Sequence, residues 1–231
     1  MSEGKKQFTC ETCIFKSYLF DKLNREELLE INLNKTERDF RRGEVICQEG
    51  EEIENFIYLK EGLVKLYKEA KDRHEHIISI ARPLDFIGLL SVFSNSRYVY
   101  SVSAVEDSAL CFIQLDTIKS IIKRNGEFAI SILEKMSIIS DQVLKIQIDL
   151  AGKQLRGRIA YIVLMFADQI YRSGKFDLPI SRKELGDLIE MRTENVIRTL
   201  SEFRKDGLLR IEGKTIEIRN MELLRKISEL G

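Results

Sequence analysis

The chain has 231 residues, enough for two modest domains that each bury their own core. Its 37 Lys and Arg balance 37 Asp and Glu, so overall charge neither demands nor excludes a polyanionic partner. No apolar run approaches a membrane span, and the N-terminus lacks the basic-then-apolar order of a signal peptide, so no membrane partner and a cytoplasmic location are expected. In that compartment the four cysteines are expected as thiols or ligands rather than disulfides.

Residues 1–40 read as an arm with short helices, carrying Cys10-Glu11-Thr12-Cys13. Residues 41–122 are short β-like runs, Val45-Ile46-Cys47, Phe56 to Leu59, Leu63 to Tyr67, His76 to Ile80 and Ala109 to Ile113, broken by Gly43, Gly50, Gly62 and Gly88. Strands this short and evenly spaced predict a sandwich or jelly roll. Over residues 123–152 the period becomes helical, with Ile132, Met136, Ile139, Val143, Ile146 and Leu150 at a and d heptad positions. That seam is expected to zip against a second copy as a parallel coiled coil, leaving Ile130, Leu133 and Ile138 to face the roll. Gly152 offers a hinge, and an amphipathic helix from about Gln154 to Arg172 opens the last domain, residues 153–231.

From Lys153 onward there are 16 Lys and Arg against 12 Asp and Glu, and 21 against 25 before it. The excess is small, but it lies at the end that carries the most specific pattern. Ser181 and Glu184 form a capping box that starts a short helix with Leu185, Leu188 and Ile189 on one face. Glu190-Met191-Arg192 turns the chain into a second helix near Thr193. Val196, Leu200 and Phe203 on that helix point inward, while Glu194, Ile197, Arg198 and Ser201 stay available. Gly207 ends the helix, and Leu209 and Ile211 then pair with Ile216 and Ile218 across Glu212-Gly213-Lys214 as a hairpin. This is a helix-turn-helix with a wing. On its second helix, Arg198 can donate two bonds to guanine and Glu194 can accept from cytosine in the DNA major groove. The candidate DNA-facing residues are Ser181, Arg182, Arg192, Thr193, Glu194, Asn195, Ile197, Arg198 and, on the wing, Lys214.

The order of roll, seam helix and winged helix-turn-helix resembles the CRP/FNR superfamily of bacterial transcription regulators over nearly the whole chain. Arg42-Gly43-Glu44-Val45-Ile46 to Glu49-Gly50-Glu51 looks like the first roll strand and its glycine turn. Pro83-Leu84-Asp85-Phe86-Ile87-Gly88 is similar to the family's glycine motif, with Leu84 replacing a glycine. Thr193 to Arg198 matches the recognition helix, whose glutamate and arginine read a TGA-type half-site; Ile197 stands where the FNR branch has a base-contacting serine. The resemblance implies an α+β chain: an N-terminal cyclic-nucleotide-binding-like β jelly roll, a long coiled-coil dimerisation helix and a C-terminal winged helix-turn-helix. It also implies a homodimer on a palindromic double-stranded DNA operator, and RNA polymerase as a further partner.

The sensed signal is less legible. Leu89 follows Gly88 where the family's cyclic-nucleotide pockets have a ribose-binding glutamate, and Tyr100 precedes Ser101 with Arg97 displaced, which argues against cyclic AMP. Cys10 and Cys13 resemble the N-terminal cysteines of the oxygen-sensing FNR branch, and Cys111 falls at its distant ligand, whereas Leu19 occupies the remaining position. An iron–sulfur cluster or other metal on Cys10, Cys13, Cys47 and Cys111 stands beside a simpler reading, with Cys47 and Cys111 as buried apolar groups and a vestigial or zinc-binding pair. The resemblance sets Val143 at or near an acidic seam residue that in the FNR branch keeps the cluster-free form monomeric, so an always-dimeric protein is expected. His74 and His76 suit a polar hairpin better than a metal. No catalytic set can be picked out with two histidines, so no enzyme is expected. Two alternatives remain: a thiol redox protein using Cys10 and Cys13, and an interaction module that does not bind DNA.

Overall fold

The computed structural model describes residues 9–69 and 75–231, which leaves His74 outside the described residues. It divides into two compact units, residues up to Leu66 with Ile80–Asp141, and Tyr67–Ser79 with Gln142–Gly231.

In the first unit Asn24 starts helix α1 (Arg25–Leu33) through a capping box, its side chain accepting from the Glu27 amide at 3.0 Å and its own amide donating to Glu27 at 3.0 Å. Among the described residues eight strands follow, of which half of β4 and most of β5 are assigned to the second unit: β1 (Lys35–Phe40), β2 (Val45–Cys47), β3 (Asn55–Glu61), β4 (Val64–Glu69), β5 (Glu75–Ala81), β6 (Phe86–Ile87), β7 (Ser101–Ala104) and β8 (Ser108–Gln114). They form two four-stranded sheets, ordered β1-β8-β3-β6 and β2-β7-β4-β5, the jelly roll that the turn spacing predicts. Central strand β3 is buried from Phe56 to Lys60, which is why it reads as a continuous rather than an alternating apolar run. Phe20, from a 3₁₀ turn at Tyr18–Lys22, stands edge-on to Tyr58 with ring centroids 5.5 Å apart and helps to close the roll.

In a jelly roll the first and last strands are neighbours, which from the sequence would set Cys47 and Cys111 on adjacent strands; the pairing found is different. The last roll strand β8 pairs with β1, Glu37 opposite Cys111, whereas β2 pairs with β7, Cys47 opposite Val102. Strand β1 escapes a periodicity search because four of its six residues are charged and its middle is exposed, as suits a sheet edge.

Helix α2 (Leu115–Arg124) leads into α3 (Gly126–Ala151), whose start is held by the Asn125 side chain accepting from the Phe128 amide at 3.0 Å. Here the first half of the seam expected to meet a twin packs on the roll's own core. Ile132 is buried in the roll's core cluster, and Met136 and Ile139 pack against that cluster. Farther along, Val143 and Ile146 are half-buried and Leu150 is buried. The residues expected to face the roll instead look outward: Ile130 is 58 % exposed and Leu133 61 %, and Ile138 is exposed too. Leu144, 60 % exposed, and Ile148, 71 %, continue that outer face at helical spacing. The physical reason is that the helix has two apolar faces, and the one with Phe128 at its head completes the roll's own core.

In the second unit α4 (Leu155–Met165) runs into a π-helical turn, Phe166–Tyr171, that ends on Arg172 in the left-handed conformation (φ 50°). Strand β9 (Lys175–Asp177), helices α5 (Arg182–Leu188) and α6 (Thr193–Lys205), strands β10 (Leu209–Glu212) and β11 (Thr215–Ile218) and helix α7 (Met221–Leu230) complete it. The expected two-stranded wing is a three-stranded sheet, β10-β11-β9, because Phe176 pairs with Ile216. Ile159, Phe166, Phe176, Val196, Phe203 and Ile216 form the centre of this unit's core. Among the described residues no helix is long and apolar enough to cross a membrane.

Candidate nucleic-acid interface

The second unit builds its exposed polar face from two helices, of which α5 starts with a capping box and α6 has no side-chain cap. Ser181 Oγ accepts from the Glu184 amide at 3.2 Å, and the Ser181 amide donates to Glu184 Oε2 at 2.8 Å, so α5 starts at the predicted residue. The turn after α5 is closed by the Met191 amide donating to the Gly186 carbonyl at 2.9 Å and by Glu190 in the left-handed region (φ 54°). Val196, Thr199, Leu200 and Phe203 then bury one side of α6, while Glu194, Ile197 and Arg198 are exposed on the other. Glu194, Ile197, Arg198, Ser201, Glu202 and Lys205 line an open groove of about 500 Å³.

Charges on this face are arranged rather than loose. Arg198 Nη2 donates to Asn195 Oδ1 at 3.0 Å, and its Nε lies 4.0 Å from Glu202. A guanidinium 64 % exposed gains little stability from such a pair, but its direction is set before any ligand arrives. Arg182 is half-buried and donates to the Gly213 carbonyl at 3.3 Å, tying α5 to the wing turn. Burial pushes its pKa down from the usual arginine value. Lys214, at the same turn, pairs with Asp177 at 3.1 Å across the wing. Ser181 and Arg192 are exposed at the starts of α5 and α6, and Thr193 is half-exposed beside Arg192. All nine candidate residues therefore lie on α5, α6 and the wing, within one unit.

Sequence reasoning missed Arg156. Its guanidinium reaches Glu202 at 3.1 Å and Asp206 at 2.6 Å and lies 4.9 Å from the centre of the Phe203 ring, fastening the back of α6 to α4. Glu202 and Asp206, one helical turn apart on α6, were the available signal.

In the first unit the thiols separate into two places. Cys10 is half-buried against the core cluster that contains Cys111; both thiols feel the charges of Lys35 and Glu37, and Cys111 also feels Cys10. Burial pushes Cys111 up to about 12 and also raises Cys10. Cys13 joins this group through its influence on Cys10 and on Tyr58, the residue opposite Cys111 on β3. Glu37 sits between two ammonium groups, Lys35 at 2.5 Å and Lys60 at 2.7 Å. Cys47 lies in the other sheet, near Tyr98 and Tyr100, where burial lifts it to about 12. The expected set of Cys10, Cys13, Cys47 and Cys111 is thus not assembled, because β1 takes the place beside β8 while β2, with Cys47, belongs to the other sheet. Leu19 is fully buried in the same unit. Among the described residues no group of three or more His, Cys, Asp or Glu is placed to hold a metal ion, so the donors present do not fit a four-thiolate cluster.

The roll's glycine motif is also occupied by the chain itself. Tyr100 Oη and Ser91 Oγ share a hydrogen bond of 2.8 Å, and a β-carbon built on Gly88 would come within 3.0 Å of the Tyr100 hydroxyl. Arg97 donates to the Gly50 carbonyl at 2.8 Å and to Glu52 at 2.7 Å.

Comparison with known proteins agrees with both halves. The cyclic nucleotide-binding domain model matches residues 37–125, and the Crp-like helix-turn-helix domain model matches residues 157–227. The chain is 25 % identical to the regulatory protein HlyX of Actinobacillus pleuropneumoniae, over 93 % of this chain and 92 % of that protein. It is 24 % identical to the fumarate and nitrate reduction regulatory protein of Yersinia pestis, over 99 % and 93 %. Among solved structures, FixK2 from Bradyrhizobium japonicum superposes with a TM-score of 0.77 at 23 % identity, over 85 % of this chain and 98 % of that one. With a roll, a long helix and a winged helix-turn-helix in this order, the chain belongs to the CRP/FNR superfamily of DNA-binding transcription regulators.

Proposed function

We propose that the protein acts as a homodimer that places two copies of α6 in successive major grooves of a palindromic operator. One reading helix covers only a few base pairs, whereas two related by a two-fold axis read half-sites about 34 Å apart. In this proposal the dimer contact is the outer stripe of α3, Ile130, Leu133, Leu144 and Ile148, rather than the inner seam. Four large apolar side chains left to water along one helix face favour a second copy of that face as partner. Glu194 and Arg198 read bases, Arg192, Thr193 and Ser181 face phosphates, and Lys214 reaches the backbone from the wing. Activity is regulatory rather than enzymatic, in the cytoplasm, with RNA polymerase as the second macromolecular partner.

The observation that carries this reading is the exposed Glu194, Ile197 and Arg198 face on a helix whose other side is fully buried. In vitro selection from random duplexes tests it. A two-fold symmetric consensus is the expected result, and Arg198→Ala should relax discrimination at one guanine per half-site, costing about 1–3 kcal/mol. Selection without any enriched motif would refute it.

For the signal, we assign sensing to the half-buried thiols of the N-terminal pair, Cys10 and Cys13. Operator affinity should change on treatment with a thiol oxidant and be restored by dithiothreitol. Cys10→Ser protein should lose that response; an equal response in both would refute the assignment.

A further inference from the structure

The geometry points to Ile197 as a base-reading residue that recognises the 5-methyl group of a thymine. This rests on the DNA reading proposed above and adds the identity of one base. Ile197 is 54 % exposed on a face whose other groove-lining groups are all polar or charged: Glu194, Arg198, Ser201, Glu202 and Lys205. It has no place in the core, which Val196, Leu200 and Phe203 fill from the opposite side of α6. Nor does it belong to the outer stripe of α3. On helical spacing Ile197 stands one turn beyond Glu194 and one turn before Ser201, with Arg198 beside it. A side chain there meets the same groove floor as the two charged readers.

The chemistry of that floor leaves one complementary group. Every base edge in the major groove presents hydrogen-bond donors or acceptors, and only thymine adds an apolar methyl. An isoleucine cannot satisfy a donor or acceptor, so pressing it against cytosine, adenine or guanine would strip water from a polar edge without replacing it. Against thymine it buries a methyl instead. The branched side chain has one strongly preferred rotamer on a helix, so little freedom is lost on contact. The thymine in question lies at or next to the base pair engaged by Arg198, because the two side chains leave adjacent residues.

Deoxyuridine, which is thymine without its methyl, isolates this contact. Full-length protein is first used to select its operator, and each thymine of the selected half-site is then replaced by deoxyuridine. Binding is measured by fluorescence anisotropy. One thymine per half-site should show about fivefold weaker binding when the methyl is absent, the effect of burying one methyl group. Ile197→Ala should bind the two duplexes equally, and Ile197→Val should retain part of the difference. The inference is overturned if every deoxyuridine duplex binds within twofold of its thymine parent, or if Ile197→Ala keeps the discrimination. Should no operator be selected at all, the DNA reading itself falls, and this inference with it; an operator insensitive to its methyl groups removes the inference alone.

Discussion

Gly186 lies against the backbone carbonyl of Met191: a β-carbon built on Gly186 would stand 2.5 Å from that oxygen. The first helix of the reading motif and the turn that follows it are therefore in contact with no room for a side chain. Gly186→Ala is expected to destabilise the second unit by about 2 kcal/mol, since backbone rather than a flexible tip must yield. Urea unfolding monitored by circular dichroism would measure this. A variant as stable as the parent would show that the turn can open.

Glu190 gives the opposite sign. It holds φ 54° in the tight turn, a conformation that costs a side chain about 1 kcal/mol or more. Its carboxylate is mostly exposed and lies 3.8 Å from an equally exposed His76, so little is lost with it. Glu190→Gly should stabilise the protein by about 1 kcal/mol, whereas Glu190→Ala should not.

Asp141 falls on the outer face of α3, between Leu133 and Leu144 at helical spacing, and is exposed. In a two-fold pair along that face the two Asp141 carboxylates approach each other and repel. Asp141→Ala should lower the dimer dissociation constant about fivefold at low salt, and added salt should narrow the gap. Leu133→Asp should raise it by at least tenfold. Sedimentation equilibrium distinguishes these outcomes.

Glu37 supplies a pH test. Burial works against its charge, but hydrogen bonds from Lys35 and Lys60 win and hold its pKa below the usual carboxylate value. Since the folded value is depressed, the contribution is complete above the unfolded value of about 4.3 and is lost as pH falls through the folded one. Stability measured between pH 6 and pH 3 should decline more steeply in the parent than in Glu37→Gln. Parallel curves would mean that the Lys35–Glu37–Lys60 group adds nothing on folding.

The capping box at Ser181, the glycine turns and the buried stripe of α6 were legible because each is a local pattern with a local cause. Ser181 and Glu184 need only each other, and Val196, Leu200 and Phe203 need only helical spacing. The errors came where two solutions share one local pattern. Helix α3 carries apolar residues on both sides, and only the roll's shape decides that Ile132 rather than Ile130 goes inward. Strand β1 is charged, so nothing in it advertises pairing with β8, and without it Cys47 and Cys111 look like neighbours. Strand β9 is three residues long, and its pairing with β11 is fixed by Phe176 finding a place among Phe166 and Tyr171.

The segment between Cys13 and Leu23 is fastened from above and below: Tyr58 Oη donates to the Phe15 carbonyl, Lys60 sits over the Phe15 ring, and Leu19 and Phe20 are sunk among the strands. Chemistry at Cys10 or Cys13 is thus coupled to a lever whose far end is wedged in the barrel. If these thiols sense the signal as proposed, movement at the sulfur end meets the packing around Phe20 and Tyr58, which makes those rings the place to look for a spectroscopic report.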